Sequence, residues 1–149
     1  MSNQDAGLLA VARVRRVRET DSRIGLQTAI AEQRAAQARV EDLRHRLTDA
    51  QRFDAGSTSD FVVLRDLLQV IGTVLLTAID EHSQTLTISA AALAAWQRDR
   101  AKLAAIEGLL ERRADARRAE AARAEARELD DLATQRWLRA QGPEFGEVA

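Results

Sequence analysis

Leu26, Ala29, Gln33, Ala36, Val40, Leu43, Leu47 and Ala50 recur at alternating steps of three and four residues. That rhythm is the seam of a coiled coil, and it leaves little freedom of fold: a helix carrying it must lie against another helix. The chain does almost nothing to interrupt such helices. Its one proline, Pro143, falls beyond the last helical pattern, and from about Gly7 to Gln51 only Gly25 weakens the helix. A first helix over about residues 7–52 is predicted, on the order of 65 Å long. Val14, Val17 and Ile24 fall on a different phase of the rhythm, so a stutter near Gly25 is expected to join the two registers. Asp42 with Arg46 and Glu41 with Arg44 are helix-spaced ion pairs on the flank, each contributing roughly 0.2–0.5 kcal/mol.

The segment FDAGSTSD, Phe53 to Asp60, is the clearest break, a turn over 53–60 in which Ser59 or Asp60 can cap the next helix. Phe61, Leu64, Leu68, Ile71, Leu75 and Ala78 then return at helical spacing, while Val62, Val63, Leu67, Val70, Val74, Leu76 and Ile79 fill the other sides. A helix apolar on several sides is buried by more than one neighbour or waits for a partner. Residues 61–79 are therefore expected to form an apolar helical tip. Arg65, Asp66 and Gln69 within it speak against a membrane span. Residues 80–89 are more polar, and a long helix over about 90–140 follows. Its seam is Leu93, Trp96, Leu103, Ile106 and Leu110, with Leu129, Leu132 and Leu138 after an Ala/Arg/Glu-rich run. Gly142-Pro143 stops that helix, and residues 141–149 are expected to be a disordered tail.

A chain of 149 residues is expected to be one domain, 1–149. The fold class that follows is all-α: a long antiparallel two-helix coiled coil, or helical hairpin, with a short helical elbow or tip in the middle. Two thinly striped helices are unstable singly and should pair. Matching small residues with small residues sets Ala29–Ala38 against Ala114–Ala126. Leu43 and Leu47 then oppose Leu109 and Leu110, and Val14 and Val17 oppose Leu138 and Trp137.

Catalysis finds no support in the residue types. There is no cysteine, no Gly-rich phosphate loop, and no His/Asp/Glu cluster at metal-ligand spacing. His45 and His82 are far apart, with no acid or nucleophile at active-site spacing. No enzyme, metal or cofactor is expected. Charged residues make up 30% of the chain yet net charge is only −1, so both signs interleave, as on solvated helices. Arg13, Arg15, Arg16 and Arg18 could neutralise phosphates, but they point around the helix and no aromatic interleaves with them. An acidic protein partner fits better than nucleic acid. Trp96 sits on the seam as a core residue. Trp137 fits either a seam cap or an interface anchor. Ile71, Leu75, Ala78 and His82 share one face, which reads equally as tip packing or as an apolar docking strip. The first residues contain Asp5 and no apolar run resembling a signal peptide, so a cytoplasmic protein is expected.

Three stretches together resemble the flagellar export protein FliJ family. They are VRRVRETDSRIGLQTAIAEQ, the mid-chain Phe61, and the terminal ELDDLATQRW. Leu8-Leu9 fits the family's beginning, and Leu129, Asp130, Asp131, Ala133 and Arg136 fit its ending. The resemblance implies an antiparallel coiled coil similar to the central stalk of rotary ATPases, within the flagellar type III export apparatus. It implies binding to the export ATPase hexamer, to the cytoplasmic domain of the export-gate membrane protein, and to export chaperones, at the inner face of the cell membrane. Ring contacts are then expected at Arg13, Arg15, Arg16, Arg18, Asp130, Asp131, Arg136 and Trp137. The strip Ile71, Leu75, Ala78, His82 resembles the family's gate-contacting surface, although Ile71 stands where an aromatic usually heads it. The alternatives are the equivalent stalk of an injectisome and a generic homo-oligomeric scaffold.

Overall fold

The computed structural model describes residues 3–52 and 55–142. It is all-α. Helix α1, Asn3–Ala50, and helix α2, Thr58–Ala140, form a helical hairpin, and no strand occurs among the described residues. The chain divides into two compact units: the described residues of Met1–Ala10 with Ala105–Ala149, and Val11–Ala104.

Within Val11–Ala104 the helices run antiparallel, as three cross-helix contacts establish. Trp96 Nε1–H donates to Glu19 Oε1 at 2.8 Å, Ser89 Oγ donates to Gln33 Oε1 at 2.7 Å, and Arg39 pairs with Glu81 at 3.3 Å. Rising numbers on α1 meet falling numbers on α2. The predicted seam of α1 is the inward face: Ala29 and Val40 are buried, and Leu26, Gln33, Ala36, Leu43, Leu47 and Ala50 are half-buried. On α2, Leu64, Leu68, Ile71, Leu75 and Ala78 turn inward, whereas Phe61 is exposed.

The register differs from the one composition suggests. Residues 19–39 of α1 lie against 81–96 of α2, and small residues of both helices, Gly25, Ala29, Ala92 and Ala95, line a shallow cleft along this contact. The short connection between Ala50 and Thr58 explains this, because a short link makes consecutive helices antiparallel neighbours from the turn outward. The polar stretch 80–89, expected to separate a tip from the last helix, is itself helical, and α2 runs unbroken. Its hydroxyls bond back to carbonyls of the preceding turn, Thr85 to His82 at 2.8 Å and Thr87 to Ser83 at 3.3 Å.

No stutter occurs at Gly25. Val14, Val17 and Ile24 face outward, and the inward row continues in phase through Ser22, Glu19, Arg15 and Ala12. Polar side chains hold that row because they find partners there, as Glu19 does with Trp96. On the flank, Arg46 pairs with Asp42 at 2.8 Å, while Glu41 accepts from Gln37 at 3.0 Å.

The cap of α2 is Ser57. Its Oγ accepts from the Asp60 N–H at 3.3 Å, and the Ser57 N–H donates to Asp60 Oδ2 at 2.7 Å, a reciprocal capping box. Phe53 and Asp54 of the expected turn, and residues 143–149 of the expected tail, lie outside the described residues. Helix α2 ends at Ala140, and Gly142 takes φ 60°, the left-handed conformation that glycine supplies past a helix end.

Candidate partner-binding surfaces

In the unit built from the two chain ends, one carboxylate anchors the start of α1. Asp5, buried in the first turn, accepts from Arg117 at 2.5 Å and Arg113 at 3.5 Å. An acid there also suits the positive end of the helix dipole. Past this clasp α2 continues, and every residue from Asp115 to Gly142 is exposed. From Arg118 to Ala140 that is a free helix about 35 Å long. Leu129, Leu132, Trp137 and Leu138 stand out of it at 62%, 51%, 59% and 59% exposure. Asp130, Asp131 and Arg136 lie among them, also exposed. Trp137 is therefore not a seam cap.

The second set of expected ring contacts lies on α1 within Val11–Ala104. Arg13, Arg16 and Arg18 are exposed, and Arg15 is half-buried on the inward row. Trp96 is half-buried as expected of a seam residue, and the Arg100 guanidinium stacks 5.2 Å from its ring centre.

Ile71, Leu75, Ala78 and His82 occupy the inward face of α2. Ala78 is only 1% exposed, the other three are half-buried, and His82 Nε2 is enclosed without a hydrogen-bond partner. The four therefore pack the hairpin. The outward sides of the same stretch carry Val62, Val63, Leu67, Val70 and Leu76, all exposed. By length and composition α2 holds a window apolar enough to cross a membrane, only 6% of it buried. Arg65 and Asp66 interrupt this stretch.

Among the described residues no group of three or more His, Asp or Glu side chains could hold a metal ion. Two hydrogen bonds from Ser57 lower the Asp60 pKa below the ordinary 3.8. Sequence reasoning missed three groups, two of which had a local signal. The Ser57/Asp60 box was visible as S-x-x-D before an apolar run, and Glu19 as the seam stepped back in phase from Leu26. The Asp5 clasp left no local signal, because its partners lie more than a hundred residues away.

These exposed helical surfaces belong to a known kind of chain. The family described as flagellar FliJ protein matches residues 4–142. The chain belongs to that family. Membership makes it a component of the flagellar export apparatus, and FliJ-family proteins are non-catalytic there. No curated protein and no solved structure matches it.

Proposed function

We propose that this FliJ-family chain is a stalk for the flagellar export ATPase, bound in the hexameric ring as the central shaft of a rotary ATPase is bound in its own. The observation that carries this reading is the end of α2, a helix exposed on all sides from Asp115 onward that presents Leu129, Leu132 and Trp137. A helix with no packed face gains no stability from tertiary contacts, and large apolar groups on it are a reason to bind. Asp130, Asp131 and Arg136 surround those groups with charges that set orientation rather than affinity. In this reading Arg13, Arg15, Arg16 and Arg18 contribute a second, basic contact to the same ring. The interleaved charges keep the shaft soluble without strong adhesion to any one ring position.

The gate and the export chaperones are the other proposed partners. Ile71, Leu75 and His82 are reachable by the gate's cytoplasmic domain only at their half-exposed edges, so neighbouring outward side chains such as Leu76 would share that contact. Residence at the inner face of the cell membrane then comes through these partners.

The deciding experiment is the ATP hydrolysis rate of the flagellar export ATPase from the same organism, with and without this chain. Stimulation that accompanies ring formation is expected. An unchanged rate from well-folded protein would remove the stalk reading and leave a coiled-coil scaffold.

A further inference from the structure

Helix α2 carries a second coiled-coil stripe besides the one that packs on α1. Val63, Leu67, Val70, Val74 and Thr77 follow one another at steps of four, three, four and three. At about 100° per residue this row stands roughly 100° around the helix from the inward row Leu64, Leu68, Ile71, Leu75. Val63 is 67% exposed, Val70 60% and Leu67 48%. The stripe alone exposes on the order of 400 Å² of contiguous apolar surface, the size of the largest and often functional patch on a typical monomer, while Phe61, Val62, Leu76 and Ile79 lie on other sides of the helix.

We propose that this stripe pairs with the same stripe on a second copy of the chain, α2 against α2 in an antiparallel two-fold arrangement. The chemistry of the faces selects that occupant. Among residues 61–79 the only charges are Arg65 and Asp66, which cancel, so the patch repels no second copy and offers a charged partner little. The outward face of α1 at the same end carries Glu41, Asp42, Arg44, Arg46 and Asp49, all exposed, and so gives no apolar match. In antiparallel register Leu67 meets Val70 of the second copy and Val63 meets Val74, while Asp66 lies beside Thr73. Two seams about a right angle apart let α2 lie against α1 and against a second α2 at once. The stripe itself covers roughly 400 Å² per copy, about half of a standard interface, so the dimer is a reversible one.

This inference does not rest on the export reading, and its test contains no ATPase. Sedimentation equilibrium of the full chain between ~1 and ~300 μM should show the mass rising from 16.4 kDa toward twice that value, the range in which so small an interface half-assembles. Leu67→Glu should hold the chain at the monomer mass with unchanged helicity, while Leu129→Glu leaves dimerisation intact. Because the chain has no cysteine, Leu67→Cys protein mixed with Val70→Cys protein should form a mixed disulfide under mild oxidation. A monomer throughout the range, or a dimer indifferent to Leu67→Glu, would overturn the proposal. So would a monomer that floats with phosphatidylglycerol vesicles through Leu67, which would assign the stripe to a lipid surface.

Discussion

Single side chains decide how firmly the two helices are held. Trp96 contributes twice, through ring packing and through its N–H to Glu19. Trp96→Phe keeps most of the ring and leaves a half-buried carboxylate without its donor. A loss of about 1–2 kcal/mol in urea unfolding is expected. Asp5 faces two guanidiniums that are 39% and 54% exposed, so water screens part of the attraction. Asp5→Ala should cost about 1–2 kcal/mol, less than a fully buried pair, and should raise hydrogen exchange in the first turns of α1. His82 works the other way. Its enclosed Nε2 has no partner, so His82→Leu should leave the melting temperature equal or higher. If that variant folds well yet loses gate binding, the imidazole belongs to the contact rather than to the packing.

The elements show what was readable in the sequence and what was not. The α1 seam from Leu26 to Ala50 was legible because heptad spacing is a local property that pairing with any helix preserves. The choice of partner residues was not. Alanine content matched 29–38 to 114–126 equally well, and only the shortness of the link at 51–57 forces pairing from the turn outward. The exposed row Val14, Val17, Ile24 misled for a related reason: hydrophobicity suggested a seam there. Glu19 on the inward row instead accepts a hydrogen bond from Trp96 across it, and Ser22 satisfies its hydroxyl on the Glu19 carbonyl of its own helix. The capping box offers an acid test at this scale. The Asp60 pKa is lowered in the folded chain, so its contribution is present above 3.8 and lost as pH falls through the lower folded value. Helix content at the start of α2 should therefore survive at pH 5 and fray on acidification below 3.8, as residue-resolved NMR shifts would show. Ser57→Ala should remove the same box at neutral pH, at a cost of about 1 kcal/mol.

For the whole molecule, partner binding and folding can be separated at the end of α2, because the ring contacts proposed there add little to the hairpin. Trp137 is 59% exposed on the stretch of α2 past the Asp5 clasp, where every residue is exposed, so Trp137→Ala should leave thermal stability within about 0.5 kcal/mol. If it anchors the ring, the concentration of chain needed for half-maximal ATPase stimulation should rise by roughly 30-fold, the cost of losing an aromatic hot spot. Reversing Arg15 and Arg16 to glutamate should weaken stimulation while helicity remains, and an unchanged stimulation curve would remove these residues from the contact. Why a family match could be anticipated from scattered residues is plain at this scale: the matched pattern extends over 4–142, and both of its ends were legible as short motifs. The partners themselves leave no such imprint on one chain.

The free end of α2 also gives the protein a built-in gauge. A helix held only by its own backbone unwinds gradually on heating, a turn at a time, while the paired region melts as a unit. A temperature scan by circular dichroism should therefore open with a sloping baseline before the main transition. Any ligand seated on Leu129 and Trp137 would flatten that slope well below the melting point. Occupancy could then be read from the baseline in a mixture where the midpoint itself hardly moves.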